Sequence, residues 1–441
     1  MDITNFTEHY DSKEQYDYKM FVYGNYTYRD NLEADSLVEV LRNVIPYLNK
    51  KYKIHFTLMT PQVIKSLSFP NVHQEIYALP SYCNTMRTHF DAIKFLDMID
   101  WRRNDFDIIY SHVPEHTAQI ANALFNNSNL RPKIVGYSHW FEVPQNAPYE
   151  KTMFDSSMLG LLEMEECGVN SNWLKQLVLK HAQKSFNPKV IARLEQVIQP
   201  HYLGVDQYRP RAKGIMPKSV IFNHRSSGYT GWDNFVKLMD KLWEKRQDFL
   251  VYTTLAQVDR LWNRKIDLPT RTEYINFLHK IQFGVACFQS YSAWSISVTD
   301  GLSVSVPYLL PKDFCYPEMV PANYPYFYTD EASFLTNFET MLDSPPNYST
   351  AAIAQATTWD NRIGEWFSGW GKVFELDALK SETEGYNSVV KIIKKSGYIA
   401  KKDLLDKLGW GVRIKWSPYR NLMRQEKHIK FTKDGYEWLQ S

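Results

Sequence analysis

At 441 residues the chain is too long for one ordinary hydrophobic core and has room for two large domains and a small one. Hydrophobic residues at 44% and charged residues at 23% exclude a largely disordered chain, and no apolar run reaches the ~20 residues that cross a bilayer. The net charge of +2 is unevenly held: residues 380–441 carry 14 Lys+Arg against 7 Asp+Glu, net +7, which leaves the first 379 residues at −5.

In chain order, YKMFVY (Tyr18–Tyr23) predicts a strand, followed by a polar loop and a helix from near Ala34. KIHFTLM (Lys53–Met59), Asp107–Tyr110 and KIVGY (Lys133–Tyr137) predict three more strands, with HTAQIANALF and MLGLLEMEE as helices between them. Such alternation favours a parallel sheet covered on both faces. Gln199–Lys218, with three prolines and two glycines, predicts a linker between domains. A second alternating set opens at SVIF (Ser219–Phe222) and continues through helix WDNFVKLMDKLWEK, strand DFLVYTT, helix TEYINFLHKI and strand FGVACF, with VTDGLSVSV and VPYLLP after them. The expected architecture is α/β, two doubly wound Rossmann-like domains (residues 1–205 and 206–380) facing each other across a cleft, with ligands at the carboxyl ends of the strands. After Pro346 the Trp-rich stretch TWDNRIGEWFSGWGKVF predicts a helix that crosses back and pins the two domains together.

The four cysteines, Cys83, Cys167, Cys287 and Cys315, stand far apart without metal-ligand spacing and read as free thiols of a reducing cytoplasm. The polar start has no signal-peptide pattern. No metal site and no cofactor are expected.

Three separated segments carry chemistry. Leu203-Gly204-Val205-Asp206 precedes the second alternating set. In NHRSSGYTGWDNFVKLM, Arg225 and Thr230 precede a helix that opens near Gly231, which sets a guanidinium close in sequence to a helix N-terminus, a pairing that suits an anion. In SISVTDGLSVSVPYLLP, Asp300 is followed by Gly301, Ser305 and Pro307. In this order the segments resemble those of retaining GT-B glycosyltransferases, which carry a G-V-D segment between domains, a Gly-Arg with a later Lys-Gly, and S-x-x-E-A-x-x-x-G-x-P.

The resemblance spans residues 18–375 as scattered motifs, and implies that the second half binds a nucleotide-sugar, with UDP as the expected nucleotide. It places Arg225 at the phosphate Arg and Asp300 at the Glu that grips the ribose. Thr230 and Ser292 stand where the family has its Lys and its partner Glu. The loop Ser290–Ser295, with Ser292, Trp294 and Ser295, would face the sugar, and Gly24 and Asn25 stand at the glycine turn near the phosphate. His139, just past a strand, resembles the His beside the anomeric centre, with His112 and His116 as further candidates. An inverting enzyme would instead need a carboxylate base, for which Asp30, Glu33 and Asp35 qualify.

Residues 381–441 predict a helix (YNSVVKIIKKSG), a turn, two further helices and a strand with turn (HIKFTKDGYEWL), an order similar to a winged helix. Its third segment would offer Arg420, Arg424 and Lys427 on one face, with Lys430 and Lys433 flanking the wing, for salt-dependent contacts to DNA phosphates. A sugar transferase with such an appendage resembles the T-even bacteriophage enzymes that glycosylate 5-hydroxymethylcytosine. Double-stranded DNA is therefore the expected acceptor. Two other readings fit the residues: transfer to a cell-surface glycan, lipid or protein, and a non-catalytic DNA-binding regulator on a decayed transferase scaffold.

Overall fold

The structure, a computed structural model, describes residues 16–24, 26, 32–76, 90–99, 101, 106–128, 132–143, 148–205, 208–268, 270–374, 383–400, 403–404, 428–432 and 435–439. The first sheet takes strands β1 (Tyr18–Tyr23), β2 (Ile54–Thr60), β3 (Val72–Ile76), β4 (Ile108–Ser111), β5 (Lys133–Ser138), β6 (Glu166–Val169) and β7 (Ile198–Pro200). The second takes β8 (Ser219–Phe222), β9 (Leu250–Thr253), β10 (Asn263–Lys265), β11 (Phe283–Val285), β12 (Tyr308–Pro311) and β13 (Phe327–Tyr328). All of these strands pair in parallel, in the orders β3-β2-β1-β4-β5-β6-β7 and β10-β9-β8-β11-β12-β13. Strand order reverses beside β1 in one sheet and beside β8 in the other. The carboxyl ends of β1/β4 and β8/β11 are therefore the natural ligand crevices.

Helices α1 (Ser36–Asn49), α2 (Ala92–Asp97), α3 (Pro114–Ser128), α4 (Pro148–Leu162), α5 (Asn172–Ala182) and α6 (Pro188–Val197) cover the first sheet. The second is covered by α7 (Trp232–Lys245), α8 (Arg271–Leu278), α9 (Ile296–Ser303), α10 (Tyr316–Met319), α11 (Glu331–Asp343) and α12 (Ala351–Ala356). Central strands such as β1 and β8 read as apolar runs because helices bury both of their faces. Strands absent from the sequence reading are short or polar: VHQEI of β3 and NRK of β10 sit at sheet edges, where one flank faces solvent and no apolar run is needed. The linker expected from Gln199 starts later than expected, because Gln199 and Pro200 pair with β6 as part of β7.

Helix α13 (Trp359–Phe374) crosses back as its Trp-rich sequence implies. Trp359, Trp366, Phe367 and Trp370 join the buried cluster formed by β1, β2 and α1 of the first unit. Phe367 stacks on Tyr47 of α1 with centroids 4.7 Å apart, and Trp366 Nε1 donates to the Tyr202 carbonyl at 3.0 Å. A bridge between Val205 and Thr358 ties the outgoing linker to the returning chain. The last helix of the second half is thus packed as part of the first, which sets how the two sheets face each other.

At the C-terminal end a helix, Thr383–Ser396, packs on an antiparallel sheet of β14 (Tyr398–Ala400), β15 (Ile429–Phe431) and β16 (Gly435–Trp438), ordered β14-β16-β15. Val389, Ile393, Ile399, Leu404, Ile429 and Tyr436 form its own small core. After Gly397 the chain forms strand β14, where the sequence predicted only a turn before the next helix. Among the described residues no helix is long and apolar enough to cross a membrane.

Candidate functional site

On the first sheet the carboxyl ends of β1, β4, β5 and β6 deliver Gly24, His112, His139 and Asn170 to one edge, and the N-terminus of α1 adds Asp35. Gly24 is a packing glycine: a Cβ there would fall 2.6 Å from the Tyr26 ring and 2.7 Å from Leu37. Asp35 caps α1, accepting the Leu37 amide at 2.8 Å, and lies close enough to His139 for its charge to act on that ring. His112 and His139 meet edge to face with centroids 4.8 Å apart. Burial pushes the His139 imidazole down to about 4, opposed by the Asp35 charge and by a bond to Asn170, so the ring is neutral near pH 7. His116 is committed elsewhere, with its Nδ1 at 3.0 Å from the Tyr23 hydroxyl. Glu33 is exposed and accepts the Ser66 amide at 3.2 Å, so of the carboxylates expected near this edge it is Asp35 that faces His139.

On the second sheet, Arg225 follows β8 on an exposed turn that ends at Gly231, whose φ of 72° is left-handed. Thr230 is buried in that turn. Its hydroxyl bonds the Arg225 and Ser227 carbonyls at 2.6 and 2.7 Å, so it holds the loop's shape where the family's Lys would reach outward. Ser295 caps α9 through the Val298 amide, and Ser292 faces Cys315 and Tyr316 in the interior. Trp294 packs on the clusters of both units and lies 5.3 Å from the Tyr202 ring, so it belongs to the seam between them. Asp300 is buried and grips the Arg271 guanidinium with both oxygens, each at 2.7 Å. Its carboxylate is therefore already oriented by an arginine. Ser305, at the position of the family's glycine, has a left-handed φ of 64°. His224, between β8 and Arg225, is driven down to about 4 by burial.

The two loops of the second unit touch: Ser290 N–H donates to the Tyr229 carbonyl at 3.0 Å, and Ser297 Oγ donates to the Asn223 carbonyl at 2.7 Å. The first unit reaches both of them through Trp140, the residue after His139. Its ring lies 3.9 Å from that of Tyr291 and 5.8 Å from that of Tyr229. The segment that carries His139, the Arg225 turn and the loop before α9 therefore meet at Trp140.

No protein-family model and no curated protein sequence matches the chain. Solved structures do match in shape. A sucrose-phosphate synthase from Thermosynechococcus elongatus, 10% identical, superposes with a TM-score of 0.62 over 81% of this chain and 99% of that one. Anabaena HepE in complex with UDP and glucose, 13% identical, gives 0.56 over 79% and 99%. A glycosyltransferase from Rickettsia africae, 11% identical, gives 0.57 over 81% and 99%.

The fold is GT-B. Within it, sequence reasoning missed Asn170, Arg271, Glu318 and the Trp140–Tyr291 contact, whose partners are remote in sequence and leave no local pattern. Asn25, Asp30, Asp206, Arg420, Arg424, Lys427, Lys433 and Cys83 lie outside the described residues. Lys430 is described, on β15, with its Nζ 3.5 Å from Glu437. Cys167, Cys287 and Cys315 are buried free thiols.

Proposed function

We propose that the protein is a glycosyltransferase that takes a sugar from a nucleotide-sugar, with UDP as the nucleotide, across the cleft between its two α/β units. The observation that carries this reading is the contact of Trp140, the residue after the neutral His139 imidazole, with Tyr291 and with Tyr229 of the turn that carries the exposed Arg225. The N-termini of α7 and α9 and the Arg225 guanidinium would hold the diphosphate. Asp300, set by Arg271, would take the ribose hydroxyls. His139 and Asp35 would face the transferred sugar, in a site that works by positioning and leaving-group stabilisation. UDP is favoured because HepE, of the same fold, is described with UDP and glucose bound.

The proposed acceptor is a hydroxymethylated pyrimidine in double-stranded DNA. The net +7 of residues 380–441 on an otherwise acidic chain supports it, as does a small helix-and-sheet unit read as a winged helix. The test is to incubate the protein with a panel of nucleotide-sugars and DNA containing cytosine, 5-methylcytosine or 5-hydroxymethylcytosine, then digest the DNA and weigh the nucleosides. A sugar mass on hydroxymethylcytosine alone is expected. Turnover on a glycan with no mass added to any DNA would refute the acceptor, and no turnover with any donor would refute the transferase.

A further inference from the structure

We infer that Asn170 is a positioning residue for His139, locking its imidazole in the Nδ1–H tautomer so that Nε2 offers a lone pair to a hydroxyl of the bound sugar. The identity of that hydroxyl rests on the glycosyl-transfer reading above; the tautomer follows from hydrogen-bond logic alone.

Asn170 Nδ2 donates to the His139 carbonyl at 2.9 Å. A carbonyl can only accept, so this contact fixes which end of the amide is nitrogen; the flipped amide would set two oxygens against each other. The amide oxygen then lies 2.7 Å from the Tyr137 hydroxyl and 3.2 Å from His139 Nδ1. Tyr137 has one proton and two acceptors in reach, this oxygen and the His201 carbonyl at 2.9 Å. The second donor that the amide oxygen can take is a protonated Nδ1. In a neutral ring Nε2 is then bare, and it is buried without a hydrogen-bond partner among the described residues. A buried acceptor left unmet is costly, and a substrate hydroxyl arriving there would recover the bond.

The groups facing the ring from each packed element agree with this state. The His112 ring meets it from the end of β4 and the Tyr137 ring from β5, each with centroids 4.8 Å away, while Asp35 faces it from the start of α1. Tyr137 is held neutral by burial, which pushes its hydroxyl well up. Asp35 is the charged group of the set and already caps a helix. Asn170, with no charge, sets the tautomer without adding the anion that would protonate the ring.

The test labels the histidines of the full chain with ¹⁵N and reads each ring's protonated nitrogen from long-range proton–nitrogen correlations, with His139→Gln identifying the resonance. The expected spectrum shows His139 as Nδ1–H at neutral pH, a mixture of tautomers in Asn170→Ala, and a titration moved upward in Asn170→Asp, where a carboxylate replaces the amide. In the transfer assay Asn170→Ala should lose about 100-fold in kcat with little change in KM for the donor, as a ring left unoriented would. The acid limb of the pH–rate profile should move upward in Asn170→Asp. An Nε2–H tautomer in the unsubstituted protein overturns the inference without any variant, and so does an unchanged tautomer in a folded Asn170→Ala. The Nδ1–H tautomer in a protein that turns over no nucleotide-sugar would keep the Asn170–His139 lock while removing the sugar hydroxyl as its purpose.

Discussion

The carboxylate of Glu318, in α10 of the second unit, accepts the backbone N–H of Trp173, in the first unit, at 2.6 Å. Its other oxygen takes the Asn172 amide at 2.7 Å and the Tyr202 hydroxyl at 2.9 Å. These amides open α5, where unpaired N–H groups and the helix dipole favour an anion. A helix cap is normally local, and Ser171 already supplies one to Leu174. The second cap comes from across the cleft, so the two units are latched in this relative orientation.

Glu318→Ala should therefore loosen the orientation and cost about 1–2 kcal/mol, since the carboxylate is only half-buried and its bonds are charge-assisted. Urea unfolding reads the cost, and small-angle X-ray scattering of the unliganded protein should show a wider particle. Unchanged scattering with a normal urea midpoint would mean that the crossover helix alone sets the orientation.

Arg271 and Asp300 pair an exposed side chain with a buried one, with side-chain exposures of 51% and 4%. Removing the arginine leaves an aspartate side chain buried without its bidentate partner, which costs several kcal/mol at fully buried sites. Water reaches the guanidinium end, so Arg271→Ala is expected to cost about 1–2 kcal/mol. Asp300→Ala should weaken UDP-glucose binding about tenfold, equivalent to about 1.4 kcal/mol. Calorimetric titration decides this; equal affinity in the variant would show that Asp300 serves only the ion pair.

Acid should destabilise the protein in a defined window. His139 and His224 are both pushed to about 4 by burial, against the unfolded value of 6.5. The unfolded chain then binds more protons between those values, so stability is full above pH 6.5 and falls as pH drops toward 4. Each ring contributes about 1–3 kcal/mol to that loss. Urea midpoints measured across the window should decline less steeply in His224→Gln than in the unsubstituted protein. Parallel declines would mean that His224 is solvated when folded.

Much of this architecture could be read from local pattern, because central strands and amphipathic helices advertise their surroundings. YKMFVY and SVIF are buried on both faces and read as apolar runs; α7 shows its buried side in Trp232, Phe235, Leu238, Met239 and Leu242. The site was less legible. Asp300 and Arg225 stood out by their places in segments that resemble GT-B motifs, but the residues that orient or join them come from elsewhere in the chain. Asn170 follows ECGV with nothing around it to distinguish it, and its partner His139 is 31 residues away. Glu318 meets Trp173 across 145 residues, a relationship created by the packing of two sheets. Thr230 shows the converse limit: its position suggested a ligand contact, while its hydroxyl is spent within the turn.

Gly231 and Gly228, three residues apart in that turn, should respond oppositely to the same substitution. Gly231 has a φ of 72°, and a Cβ on it would lie 2.0 Å from the Cys287 carbonyl and 2.7 Å from that of Phe288. Both obstacles are backbone, so no rotamer change relieves them. Gly231→Ala combines a left-handed alanine with a forced separation of the Arg225 turn from the loop after β11, at a cost of about 2 kcal/mol or more. Gly228 has nothing within 4 Å of its added Cβ, and Gly228→Ala should stay within about 0.5 kcal/mol of the unsubstituted protein. Donor affinity separates the two further, because the displaced turn carries Arg225. Calorimetric titration with UDP-glucose should show weakened binding in Gly231→Ala and unchanged binding in Gly228→Ala. If both variants unfold at the same urea concentration, the close approach of these two loops is not what holds the turn.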